Sequence, residues 1–459
     1  MLRSIALLFV AAFALAAQSA AADMRYTLKA EIEPSAGTVA VTGTIAVPVA
    51  EDASQVSFAL HRTFEISRLA IAGKHAAFAY KAIEPTPFNP ATRDVVVTLP
   101  RGAARNGAVT MGITYAGKLA ELPEWGAAPQ GTLSMDDQVN ARLVQLASYS
   151  SWYPQFGAFG RRFGVDLTVS MPKGWVAVSS GAKTMLSSAN GREVTQWQSS
   201  NNFDIVISAA PNFRRVVEPA GDAAIEVYYT DMPDAVIARE AKDLGAVMGL
   251  YERRFGKTVV SGGTVRHVYA PMQRGQGRAG IARLGLIVTS EGRVKEAMAN
   301  DPGYTLFQDI AHEIGHFWWN FGTGQGDWIN ESFAEYSSAL AVRDIVSQDK
   351  FDAVIAGYRK TVAGLPADAP SLATVPADGS GFFVRYYKGS LMLDDFRRTL
   401  GDAAFFAAAH EFFEIYKSKG AVTADFRSFW KAHLGTDAAK VDDWVDRTGG
   451  LPQEGAARR

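Results

Sequence analysis

The hydrophobic period of this chain changes once, near residues 215–222, and that change splits it into two folding problems. Before it, apolar and polar residues alternate. Tyr26, Leu28, Ala30 and Ile32 stand between Thr27, Lys29, Glu31 and Glu33. The same period returns at Val39-Val41-Gly43-Ile45-Val47, Val56-Phe58-Leu60, Val109-Met111-Ile113-Tyr115 and Phe163-Val165-Leu167-Val169-Met171. Successive side chains of a strand point to opposite faces, so this pattern predicts half-buried strands, and their punctuation by Pro and Gly predicts an antiparallel β domain. After Pro233-Asp234 the spacing becomes three and four, through Leu244, Val247, Met248 and Tyr251 to a stop near Gly256. Helical patterns then dominate to the end, with one strand-like run at Leu284–Thr289. The expected domains are 23–218, antiparallel β, and 219–459, mostly helical.

A chain of 459 residues is too long for one ordinary domain, and 48% hydrophobic against 20% charged residues is enough to build a core in each half. Formal net charge is −1 and the basic residues form no block, which excludes the electrostatic footprint of a nucleic-acid or anionic-membrane binder. There is no cysteine, hence neither disulfide nor thiol nucleophile. Residues 1–22 read as a secretory signal: Arg3, an apolar run Ile5–Ala17, then Ala20-Ala21-Ala22 before Asp23. Thirteen apolar residues fall short of the roughly 20 that span a bilayer, so the reading is cleavage rather than a retained anchor. The expected product is exported, periplasmic or secreted, with no membrane span left.

Asp301-Pro302 predicts a helix entry, and Phe307, Ile310, Ile314 and Phe317 give that helix one apolar face. His312 and His316 lie on another face, four residues and therefore one turn apart, where two imidazoles can reach a single ion. Glu313 stands beside them, placed to take a proton from water without being a ligand; this is the logic of His-Glu-x-x-His. The alternative is a solvated pair of histidines. A second helical pattern starts near Trp328 and carries Asn330-Glu331-Ser332-Phe333-Ala334-Glu335-Tyr336. A carboxylate from it can complete a His, His, Glu site; Glu331 and Glu335, one turn apart, are rivals for that place, the other standing behind the ligands.

The segments His-Glu-Ile-Gly-His-Phe-Trp-Trp and Trp-Ile-Asn-Glu-Ser-Phe-Ala-Glu-Tyr closely resemble the zinc aminopeptidase family typified by membrane alanyl aminopeptidase. The resemblance implies one zinc ion held by His312, His316 and Glu331, with Glu313 as general base. Tyr386-Tyr387-Lys388-Gly389-Ser390 is similar to a family segment whose tyrosine donates to the transition-state oxyanion. That role falls on Tyr387, with Tyr386 taking it if the alignment slips by one. Ser151-Trp152-Tyr153-Pro154 and Pro172-Lys173-Gly174-Trp175 resemble the family's N-terminal β domain, and Trp444-Val445-Asp446 to Leu451-Pro452 the end of its thermolysin-like catalytic domain. The implied activity is hydrolysis of peptide bonds by metal-activated water. Two other outcomes are a glycyl-aminopeptidase-type metallopeptidase and a non-catalytic binding module built on the same fold. Nothing in the sequence gives the oligomeric state.

Two departures stand out. The spacer 317–330 between His316 and Glu331 is shorter than is usual in the family. The family also anchors the substrate's amino terminus with a glutamate in a Gly-x-Met-Glu-Asn strand, and Leu284-Gly285-Leu286-Ile287 aligns so that Ala282 occupies its place. Alanine cannot pair with an ammonium, and Arg274, Arg278 and Arg283 are expected to make this loop cationic, repelling an α-amine. Glu291 is the candidate substitute. His61, His75, His267, His410 and His433 are scattered and expected to be structural or surface residues, Trp318-Trp319 to pack between helices, and Phe405 to Tyr416 to form a core helix.

Overall fold

In the strand Arg25–Glu33 every second residue from Tyr26 to Ile32 is buried and the rest are exposed, so the alternation in the sequence has become a pleat with one wet face. The computed structural model describes residues 23–83, 91–119, 137–157, 161–272, 280–300, 306–376 and 381–451. The expected signal segment 1–22, the helix entry Asp301-Pro302 and two of the loop cations, Arg274 and Arg278, lie outside these residues.

The first domain is built on an eight-stranded sheet. Its centre runs Phe163–Pro172, Arg25–Glu33, Thr38–Pro48, Ala108–Lys118. Pairing is antiparallel except between Arg25–Glu33 and Phe163–Pro172, which run parallel with Tyr26 opposite Val165. Sheets of three and four strands complete the domain, and Tyr26, Leu28, Val41, Val95, Trp152, Leu167 and Trp197 share its core.

The second domain is mostly helical: α1 (Asp234–Phe255), α2 (Glu291–Asn300), α3 (Phe307–Gly315), α4 (Trp328–Ala341), α5 (Gln348–Ala363), α6 (Gly389–Leu400), α7 (Asp402–Tyr416), α8 (Thr423–Leu434) and α9 (Ala439–Val445). Among the described residues none is long and apolar enough to cross a membrane. One expectation is corrected. Instead of a single strand-like run there is a five-stranded sheet, ordered Arg214–Ala220, Ala223–Tyr229, Thr264–Ala270, Leu286–Ser290, Ile281–Arg283. Its middle pairings are parallel. One face lies under α1 through Ile225, Val227 and Val265; on the other, Tyr228, Val268, Ala270, Leu286 and Val288 join the core of the first domain. Strands covered on both sides carry no alternation, which is why the period-two test misses Thr264–Ala270, buried at six of seven positions.

Candidate metal centre

The α3 helix buries Phe307, Ile310 and Ile314, and Tyr251 donates from its hydroxyl to the Ala311 carbonyl at 3.0 Å. Its other face therefore has to look toward α4. The two helices approach closely because residue 315 is glycine: a Cβ there would lie 2.9 Å from the Cα of Ala334. The short spacer between them is pinned by Asn330, whose Oδ1 accepts from the Gly322 amide at 2.7 Å while its Nδ2 donates to the Gly322 carbonyl at 3.1 Å. Trp319 stacks on Phe333 with ring centroids 4.3 Å apart and donates to Ser337, packing between the helices as expected.

This framework brings His312, His316 and Glu331 together. Nε2 of His312 is 3.2 Å from Nε2 of His316, and Glu331 Oε2 is 3.5 Å from the first and 3.4 Å from the second. Three donors each about 2.05 Å from a tetrahedral ion stand roughly 3.3 Å apart, so the triangle has the size zinc requires. Glu331 Oε2 is also a buried oxygen with no hydrogen-bond partner, an orphan that a cation would satisfy. Burial alone would raise the Glu331 carboxyl, but the neighbouring His316 and His312 imidazoles hold it far below the ordinary carboxylate range. Burial, by contrast, raises Glu313 above its ordinary value, against the pull of the two imidazoles.

Glu335, the rival ligand, stands behind the triangle. Its Oε2 is 2.7 Å from His312 Nδ1, the far side of the ring, and its Oε1 accepts from the Tyr358 hydroxyl. His316 Nδ1 is likewise 3.0 Å from the Trp319 carbonyl. Each imidazole thus has its Nδ1 side against an oxygen, an ion-pair contact for His312 and a hydrogen bond for His316, with Nε2 turned to the centre. Sequence reading named Glu335 but missed Tyr358, which carries no local signal.

The tyrosine assignment shifts by one. Tyr386, rather than Tyr387, lies over the site: its ring stacks on His312 at 5.3 Å and 8°, and it lies within hydrogen-bonding reach of Glu331. Tyr387 turns to Tyr358, stacking at 4.4 Å. Both tyrosines lie on a π-helical turn over Val384–Lys388. Burial, reinforced by the Glu331 and Glu313 charges, holds the Tyr386 phenol well above its usual pKa and hence protonated.

The strand Ile281–Arg283 runs past the base, and a Cβ on Gly280 would collide with the Glu313 carboxyl. Ala282 is buried on this strand, paired opposite Ile287. Arg283 does not make the loop cationic: its Nε is 2.6 Å from Asp204 Oδ2, with both side chains buried, so the charge is matched by a carboxylate from the first domain. Glu291 is engaged elsewhere, accepting from the Thr230 hydroxyl at 2.7 Å and the Asp231 amide at 3.1 Å and pairing with Lys295 at 2.9 Å. Its carboxylate is thus already committed. The run Leu284–Thr289 is no edge either, since Leu286–Ser290 is paired on both sides; among the described residues the strand that ends the sheet on this side is Ile281–Arg283. The remaining histidines stay away from the triangle: His61 contacts Thr63, His267 lies between Glu240 and Thr289, His433 bonds to the Phe429 carbonyl, and His75 is exposed.

Residues 294–447, which include both metal helices and the Tyr386 segment, match the Peptidase family M1 domain. The second domain therefore carries a Peptidase family M1 segment. Solved structures with the same two-domain fold include the M1 zinc metallopeptidase of Deinococcus radiodurans, 18% identical with TM-score 0.73, the match covering 95% of this chain and 97% of that one. A variant of the same bacterium's enzyme, bound to a Tyr-Ser-Ala substrate, is 18% identical with TM-score 0.73 over 94% of this chain and 96% of its own. A two-domain M1 zinc metallopeptidase variant bound to L-arginine gives TM-score 0.74 at 18% identity, again over 94% and 96%. No curated protein matches. The M1 match begins at residue 294, so the Ala282 strand lies ahead of the region this chain shares with the family description.

Proposed function

We propose that this chain hydrolyses peptide bonds with zinc held by His312, His316 and Glu331, Glu313 as general base and Tyr386 as oxyanion donor. The observation that carries the reading is the triangle of donor atoms with edges of 3.2, 3.4 and 3.5 Å, one corner of it an orphaned carboxylate oxygen. Bound there, zinc would supply a Lewis acid that acidifies water and polarises the scissile carbonyl. Glu313 takes the proton of the attacking water and passes it to the leaving amine. Tyr386, neutral, donates to the oxygen on which negative charge develops. Glu335 keeps His312 oriented through Nδ1. The substrate backbone adds alongside the strand Ile281–Arg283, which runs past Glu313.

With Ala282 in the anchor position, the enzyme discriminates weakly between free and blocked amino termini. The test is one panel of free and N-acetylated peptides given to the wild type and to Glu313→Gln. Both peptide classes are cleaved at comparable rates by the wild type, and neither by Glu313→Gln, which still binds zinc. Near-normal turnover by Glu313→Gln would remove the base; strong preference for the free amine would remove the altered anchor.

The segment Arg3, Ile5–Ala17 and Ala20-Ala21-Ala22 supports export. Amino-terminal sequencing of protein made in a secretion-competent host should then begin at Asp23; a chain still starting at Met1 would contradict it.

A further inference from the structure

Arg162 carries a positive charge that has no counter-ion among the described residues. Its Nη2 donates to Oδ1 of Asn320, but its Nη1 is buried with no hydrogen-bond partner. Other guanidiniums with an orphaned nitrogen are matched: Arg93 by Glu65, Arg254 by Asp344, Arg283 by Asp204 and Arg385 by Asp327. Burial lowers the Arg162 guanidinium to about 10 and no neighbouring charge raises it again, so it is a cation at neutral pH. A shielded cation is costly unless something pairs with it.

The position of that charge matters. Asn320, which accepts from Arg162, donates through Nδ2 to the His316 carbonyl at 2.6 Å, at the end of the metal helix. The Arg162 guanidinium also lies 4.9 Å from the centre of the Phe203 ring, and that of Arg283, next to Ala282 on the strand that passes Glu313, lies 5.4 Å from the same ring. The first domain thus sets an unmatched cation beside both the metal helix and the strand Ile281–Arg283.

We propose that Arg162 binds a carboxylate of the peptide substrate lying between those two elements. The inference deepens the peptidase reading above and rests on it. Charge on this side of the site is the reverse of what an ammonium requires: position 282 is alanine, and the charge left over is positive. A guanidinium presents a fork of N–H donors to a carboxylate, and the Nη1 of Arg162 is unused. An amide of the same shape brings no charge and leaves the cation unmatched. A peptide offers carboxylates from two sources, Asp or Glu side chains and the carboxyl terminus.

The test uses the zinc-loaded enzyme and one peptide sequence, with Glu or Gln placed at each position in turn and the carboxyl terminus either free or amidated. The measured quantity is the ratio of kcat/KM for the carboxylate to that for its amide counterpart. For the wild type the ratio should reach about tenfold or more, at one Glu position if a side chain is bound and at the free terminus if the chain end is bound. It should fall close to one in Arg162→Gln and keep an intermediate value in Arg162→Lys, which retains the charge without the fork. Because it is a ratio, a general loss of turnover cancels. Should Arg162→Gln not fold, Arg162→Lys decides alone: its ratio must fall several-fold yet stay above one. A wild type indifferent to every carboxylate, or a preference that Arg162→Gln or Arg162→Lys keeps in full, overturns the assignment alone. A peptide set left wholly uncut overturns it together with the peptidase reading.

Discussion

At residue 315 the metal helix has no side chain because α4 occupies that space: the Cα of Ala334 would lie 2.9 Å from an added Cβ. Glu331 sits three residues before Ala334 on the same helix, so whatever pushes α4 outward moves the carboxylate away from the imidazoles. Gly315→Ala is therefore expected to leave a folded protein that binds zinc about tenfold or more weakly. Competition with a chelator measures it, and unchanged affinity would contradict the packing argument. The same logic explains the Lys-Gly pair after the tyrosines. A Cβ on Gly389 would collide with the Ser332 hydroxyl, which donates at 2.6 Å to the Arg385 carbonyl in the π-helical turn. His312, Glu313 and His316 were legible in the sequence because a helix converts a spacing of four into adjacency. Gly315 was present in the same pentapeptide but silent, since its meaning lies in Ala334, nineteen residues away.

Between elements, legibility depended on period. The helices α3 and α4 announced themselves through apolar residues at threes and fours, and the strands of the first domain through alternation. The parallel core of the second sheet, covered on both faces, had neither period to show. The π-helical turn at Val384–Lys388 is a failure of a different kind: it carries two adjacent tyrosines, and no apolar period says which of them faces the metal helices. Its consequence can be tested. Tyr386→Phe should lower kcat by about 100-fold or more, the cost of losing one oxyanion donor, whereas Tyr387→Phe should stay within a few-fold of wild type. Steady-state kinetics on one peptide amide distinguishes the two, and the reverse order would restore the assignment to Tyr387.

The whole molecule is organised around the sheet that both domains share. Its α1 side belongs to the catalytic core; its other side completes the core of the first domain. The buried pair Arg283–Asp204 fastens the strand beside Glu313 to the first domain, and Asp204 is further held by the Ser148 amide at 2.9 Å, the Ser148 hydroxyl at 2.8 Å and the Tyr153 hydroxyl at 3.1 Å. The β domain thus sets the position of the strand that lines the cleft. No sequence period joins residues 204 and 283, and an arginine met in isolation reads as a loop cation. All of this geometry serves a single claim, that His312, His316 and Glu331 together hold one zinc ion. Metal content after dialysis against a weak chelator tests it most directly. Wild-type protein should retain one equivalent of zinc and folded Glu331→Ala protein much less. A wild type without zinc, or a Glu331→Ala variant that keeps a full equivalent, would contradict the account.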